Sequence, residues 1–287
     1  MPKKLYQYRS IETDKQPKRL EWVLNVMKTG QLHCLSNENL NDPLDMQTIL
    51  SNDASPYINS IASAMGDEGF VGRYMALKFL TPYMKWQFRK NGISKEEIDS
   101  FDSTVNTYFM KWAEDLQTQH NDLLSCARIV CLTETYDNLP MWWHYADERR
   151  GICFEFDIDK ANPKDTLFIF PVKYSNKLHD AVETLHRLDA RHLKKKDKEE
   201  REFHAIVSEV MLPCIHKLSD WSYEKEWRYI MTNADYFNFV KPSKIILGDK
   251  IDESKKNTIL EEAKMQGISV TQMSITKYGF RENELSV

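Results

Sequence analysis

The 287-residue sequence predicts an α+β fold, a single domain over residues 1–287 with a helical insertion at about 55–122. Two observations lead there, and a third argues for one domain. Runs with a two-residue apolar period lie both early and late in the chain, so both ends supply strands. Between them, residues 56–120 change to a helical period. No internal repeat or low-complexity linker marks a second domain.

The first strand is LYQYR (5–9). A helix follows over 17–27, with Leu20, Val23, Leu24 and Met27 at helical spacing, Pro17 near its first turn and Gly30 just past its end. QLHCLS (31–36) reads as a second strand and NDPLD (41–45) as a turn. In the central block, Ile58, Ile61, Ala62 and Met65 repeat helically, as do Tyr74, Leu77 and Lys78, then Val105, Tyr108, Phe109, Trp112 and Leu116. Gly92 splits the block, which holds three or four helices.

ARIVCLTET (127–135) is a β run, and PMWWHYAD (140–147) one or two helical turns. GICFEFDI (151–158) alternates, with Ile152, Phe154 and Phe156 on one face and Cys153, Glu155 and Asp157 on the other. LFIFPVKYS (167–175) contains Pro171, which lacks a ladder N–H, so it is expected at an edge or a bulge. Residues 177–218 read as helical, with RHLKKKDKEER (191–201) a solvated mixed-charge stretch. EWRYIM (226–231) and KIILGDKI (244–251) are strands, 253–266 a helix, and ISVTQMSI (268–275) a closing strand.

The net charge of −4 argues against a surface that binds polyanions throughout, while leaving room for a local basic groove. Five cysteines without a C-x-x-C pair indicate buried thiols in a reducing compartment rather than a disulfide framework or zinc site. No stretch approaches the roughly 20 apolar residues of a membrane span, and MPKKLYQYRS lacks a signal-peptide core. A cytoplasmic protein without a membrane partner is expected.

Three stretches carry candidate chemistry. In DWSYEKEWRYIM (220–231), a strand would put Glu226, Arg228 and Ile230 on one face, with Glu224 two residues before Glu226. Two carboxylates at a loop–strand junction can stabilise a sugar-like cation, or Glu226 and Arg228 can form an ion pair on an exposed strand. In CLTETYDNLPMWWHYAD (131–147), Thr133 and Thr135 share a strand face. Trp142, Trp143, His144 and Tyr145 offer flat rings for a base or nicotinamide, or a hydrophobic plug. In YQYRS (6–10), Arg9 lies between aromatics and can bind a phosphate or carboxylate, or simply be exposed. Asn41, Asp42 and Asp45 are weak as a Mg²⁺ site and read better as a turn. No P-loop, G-x-G-x-x-G, G-x-S-x-G or H-E-x-x-H occurs.

Taken in order, YQYRS, NDPLD, MWWHYAD–GICFEF and WSYEKEWR resemble a bacterial family known only as a domain of unknown function. A second resemblance is to the ADP-ribosyltransferase superfamily, with its Arg or His on a first strand, Ser/Thr on a middle strand and Glu-x-Glu late. It implies a pair of small mixed or antiparallel sheets around a cleft. It assigns Arg9, with Tyr8 a possible substitute, to the first position, and Thr133 and Thr135 to the second, where T-E-T departs from Ser-Thr-Ser. Tyr145 becomes a stacking partner and Glu226 the late glutamate, with Glu224 facing the acceptor.

The implied chemistry follows. NAD⁺ is the substrate, Arg9 pairs with its pyrophosphate, and Trp142 and Tyr145 pack its nicotinamide. Glu226 holds the nicotinamide ribose while the oxocarbenium ion forms, and Glu224 orients or deprotonates the acceptor. The superfamily implies a bacterial toxin or phage-defence effector with a macromolecular acceptor, here a nucleic-acid base (RNA or DNA) slightly ahead of a protein side chain, and an antitoxin covering the cleft. The competing expectations are a non-catalytic nucleotide-binding sensor, an NAD glycohydrolase, and a metal-dependent nuclease on Asp42, Asp45 and Glu226.

Overall fold

The structure, a computed structural model, describes residues 1–11, 18–49, 86–87, 89–100, 103, 114, 118, 121–122, 124–180 and 212–285. The chain divides into two compact units where one domain was expected. Met1–Pro43, Cys126–Asn176 and Lys217–Val287 form the first, Leu44–Ser125 and Lys177–His216 the second.

In the first unit, strands β1 (Lys4–Arg9), β4 (Ala127–Thr133), β5 (Ile152–Asp157), β6 (Ile169–Pro171), β10 (Glu226–Thr232), β12 (Lys244–Leu247), β13 (Ser269–Thr276) and β14 (Gly279–Glu284) build one sheet. Its order is β14-β13-β12-β5-β1-β4-β10-β6. Every neighbouring pair is antiparallel except β12–β13, which helix α4 (Glu253–Gln266) connects. The fold is therefore α+β, as expected. The strand order differs from a pair of small sheets, because eight described strands share one ladder. β6 ends at Pro171 and lies at the sheet edge, where a missing N–H is tolerated. β14 escaped the sequence reading because GFRENE lacks apolar alternation.

One face of the sheet packs on α1 (Arg19–Thr29) and α4. Val23, Val26 and Met27 from α1 and Ile259 and Ala263 from α4 join Leu5, Val130, Leu132, Ile152, Phe154 and Phe156 in the main core. Both helices end as their sequences dictate. Asp252 accepts from Ser254 N and Lys255 N to cap α4, and Gly267 and Gly30 take left-handed conformations after the last turns. The opposite face carries a smaller cluster of Tyr6, Tyr8, Cys153, Ile246 and Met273 under Met141 and Trp142 of α2 (Leu139–Tyr145). β5 is thus buried on both faces, with Cys153 and Glu155 enclosed on the second.

Gly30 is the tightest of the cap positions. Its φ is +74°, and an added Cβ would collide with the Phe239 carbonyl oxygen. Gly30→Ala is expected to lose roughly 1 kcal/mol or more, read as a fall in the urea midpoint at unchanged slope.

Two short ribbons complete the first unit. β2 (Gln31–His33) pairs with β11 (Tyr236–Asn238), and β7 (Lys173–Ser175) with β9 (His216–Leu218). In the second unit, β3 (Thr48–Ile49) runs parallel to β8 (His179–Asp180), and Lys95–Ser100 is helical after a Ser94–Glu97 capping box. The residues that carried the helical periods at 58–65, 74–78 and 105–116 lie outside the described residues, as does 191–201. The expected helix over 177–218 is not continuous. Its described ends are β8, a 3₁₀ turn at Pro213–Ile215 and β9.

Candidate functional site

The chemistry of the first unit concentrates where β10 begins. A 3₁₀ helix, Ser219–Glu224, ends at Lys225, whose left-handed conformation (φ 44°) turns the chain into β10 at Glu226. Both carboxylates then reach one ammonium. Lys217 Nζ donates to Glu224 Oε2 at 2.6 Å and to Glu226 Oε2 at 3.2 Å. Arg228 clamps Glu226 from the other side, Nε to Oε1 at 2.8 Å and Nη2 to Oε2 at 2.9 Å. Tyr145 Oη donates to Glu224 Oε1 at 2.5 Å and itself accepts from Asn41 Nδ2 at 2.7 Å.

The β7–β9 ribbon supplies Lys217 and also Tyr174, whose hydroxyl accepts from Glu226 N at 2.9 Å. Thr133 Oγ1 donates to the Glu224 carbonyl at 2.6 Å and accepts from Thr135 N at 3.2 Å. Thr133→Val would leave that buried carbonyl unpaired and loosen the turn carrying both carboxylates. A loss of about 1–3 kcal/mol is expected, read by thermal unfolding.

The four charged groups are buried. Glu224 is 2% exposed, Glu226 5%, Lys217 3% and Arg228 0%. The ion pair of Glu226 with Arg228 is present, on a buried strand face and not an exposed one. Burial pushes the Glu226 carboxyl up, but Arg228 and Lys217 outweigh it and hold it at about 2. Glu224 goes the other way. Burial raises it, the neighbouring Glu226 charge adds to that, and Lys217 offsets only part. Burial and the Glu224 charge also push the Tyr145 hydroxyl up, so it remains a donor. Two adjacent carboxyl groups are thus driven apart in protonation by unequal shares of two cations.

The register decides which expected residues belong to this site. Tyr6 lies opposite Thr133, and Thr133 opposite Glu226, so all three share a face across β1, β4 and β10. Tyr8 shares that face, in edge-to-face contact with Trp142 at 5.2 Å. Arg9 does not. Unbroken pairing from Lys4↔Asp157 to Arg9↔Ile152 puts it on the opposite face, with Ile152 of the main core. The expected pairing of Arg9 with a ligand of Glu226 is corrected accordingly. Trp142 is also corrected: fully buried, its Nε1 bonded to the Tyr136 carbonyl, it is core and offers no free ring. Thr135 sits half-buried beyond the strand end, with a buried, unpartnered Oγ1.

Lys217 was missed, because it lies in a stretch read as helix. Asn41 was read only as part of a turn or a Mg²⁺ site. Among the described residues no three His, Cys, Asp or Glu converge as metal ligands. A shallow cleft of about 640 Å³ lies elsewhere, lined by Lys244, Ser269, Thr271, Glu282, Glu284 and Leu285, and the carboxylate pair is not part of it. No described helix is long and apolar enough to cross a membrane.

A family model described as a protein of unknown function, DUF2971, matches residues 141–229. It accords with the resemblance to a family of unknown function and spans the last two of its four motifs. No curated protein and no solved structure matches the chain.

Proposed function

We propose that the Glu224–Glu226 face is the active site of an ADP-ribosyltransferase, which moves ADP-ribose from NAD⁺ to a macromolecular acceptor. The carrying observation is the pair of adjacent carboxyl groups held in opposite protonation tendencies by Lys217 and Arg228. A group held ionised at every working pH suits stabilisation of positive charge, and one raised towards neutrality suits proton transfer.

In this reading the C–N bond between ribose C1 and nicotinamide breaks, and its electron pair leaves on neutral nicotinamide. Glu226 faces the oxocarbenium ion. The acceptor attacks C1, and its proton passes to ionised Glu224, with Tyr145 orienting that carboxylate. The finer fold expectation, two small sheets around a cleft, stays with this proposal: the β7–β9 ribbon meets β10 at the carboxylates, and NAD⁺ is expected between them. Because both carboxylates are nearly inaccessible, substrate access requires side chains that cover them to move. The pyrophosphate ligand is a group other than Arg9. A nucleic-acid base as acceptor, an antitoxin over the cleft and a role in toxicity or phage defence belong to the same proposal.

One observation favours a non-catalytic binding module: all four carboxylate oxygens already have partners. Labelled NAD⁺ incubated with total RNA, DNA and protein separates the readings. Label in one pool, absent with Glu226→Gln, supports the transferase and names its acceptor. Nicotinamide release without label transfer supports the glycohydrolase. Neither release nor transfer in any pool overturns the NAD⁺ reading.

A further inference from the structure

We infer that Asn41 is a positioning residue of the carboxylate site: it forces the Tyr145 hydroxyl proton to point at Glu224 and so keeps Glu224 an acceptor. The proton's direction follows from geometry alone, while its use in transfer rests on the transferase reading.

An amide nitrogen only donates, whereas a phenol has one proton to give and lone pairs that accept. Asn41 Nδ2 donates to Tyr145 Oη at 2.7 Å, so the phenol proton cannot lie along that line. It lies instead on the line to Glu224 Oε1, at 2.5 Å. Turning the amide over would set its oxygen against the phenol oxygen, because the one proton is already committed to a carboxylate, the stronger acceptor. Among the described residues Asn41 and Tyr145 have no other hydrogen-bond partner.

The second oxygen of Glu224 is equally constrained, since Lys217 Nζ donates to Oε2 at 2.6 Å. Both oxygens therefore face donors. A proton added to Oε1 on that line would meet the Tyr145 proton, and one added to Oε2 would meet the Lys217 ammonium. The acid form fits at Oε1 once the phenol turns its proton away, and Asn41 occupies the direction in which it would turn. Burial and the Glu226 charge favour the acid form, and the two donors oppose it. The titratable groups around Glu224 are Lys217 from β9, Tyr174 from β7, Glu226 from β10, Tyr145 from α2 and Tyr223 from its own 3₁₀ helix. Asp42 adjoins Asn41 in sequence and is buried. Of these groups, Tyr145 is the one whose proton Asn41 directs from the exposed side. In the transferase reading Glu224 must be ionised when the acceptor attacks, so Asn41 extends transfer to lower pH.

Carboxyl carbon NMR titration of Glu224 in the full chain tests this with Asn41→Asp, Asn41→Ala and Asn39→Asp. Asn41→Asp puts an acceptor where the donor was, so the phenol proton can turn and Glu224 can hold a proton at Oε1. Its midpoint is expected to rise by about one pH unit or more, and by less in Asn41→Ala. Asn39→Asp adds the same charge at an exposed residue bonded to Ser36 rather than Tyr145, and is expected to leave the midpoint in place. Should Asn41→Asp fail to fold, Asn41→Ala carries the test. An unchanged midpoint in the Asn41 variants, or equal rises in Asn41→Asp and Asn39→Asp, overturns the proposal. In the transfer assay, the acidic limb is expected to move up with the Glu224 midpoint. A shifted midpoint in a protein without transfer supports the positioning role and overturns only the transferase reading.

Discussion

Lys217→Met is expected to lower stability by about 3–5 kcal/mol, because it leaves two buried carboxylates with Arg228 as the one remaining cation among the described residues. Lys217 is the only described group that bonds both Glu224 and Glu226, and water cannot replace it at 3% exposure. The urea midpoint should fall by far more than with Lys225→Met. That side chain, eight residues on, is exposed, and its loss should stay within about 0.5 kcal/mol. The acid side of the stability curve follows from the same cluster. Glu226 has a folded-state pKa near 2, below its unfolded value of roughly 4.3. Its contribution is therefore present above that unfolded value and is lost as pH falls towards 2. Glu224 is raised, so its linkage has the opposite sign: stability declines as pH rises from roughly 4.3 through its folded value. Glu226→Gln should remove the acid-side loss between roughly pH 4.3 and 2, and Glu224→Gln the decline above it.

In the proposed transferase, the second large effect is on turnover. Glu226→Gln is expected to reduce nicotinamide release from NAD⁺ by about 10²–10³-fold at every pH tested, since an ionised group near the developing cation is lost. Glu224→Gln should act differently. Transfer to the macromolecular acceptor should fall by about 10²-fold or more, with nicotinamide release less affected, because the acceptor's proton loses its destination. Side-by-side assays of release and transfer distinguish the two roles. Equal losses in both assays for both variants would remove the division of labour and leave a single structural unit.

Much of the framework was legible from local pattern. α4 showed its cap at Asp252 and its stop at Gly267, and EWRYIM carried a strand with Glu226, Arg228 and Ile230 on one face. Pro171 announced the edge position of β6. The site was legible only in part. Glu224, Glu226 and Tyr145 come together, Tyr145 as a hydrogen-bond donor to Glu224 where a stacking ring was expected, and their convergence depends on Lys217, whose own neighbourhood has no periodic signature. Period two already separated Tyr8 from Arg9. Which of them meets Glu226 was set by the register Tyr6↔Thr133↔Glu226, a long-range pairing absent from local sequence. Trp142 misled because an aromatic run reads alike as a stacking platform and as core. Only the packing of α2 over Tyr8 and Cys153 assigns it to the core.

The acid-side stability and the proposed proton transfer and charge stabilisation all rest on the two carboxyl groups being in different states. Carboxyl carbon NMR titration of protein labelled at glutamate, with Glu224→Gln and Glu226→Gln assigning the signals, measures this directly. The expected result is one glutamate that remains ionised down to about pH 2 and its neighbour protonating above the ordinary carboxylate range. Two signals that titrate together near roughly pH 4.3 would contradict it.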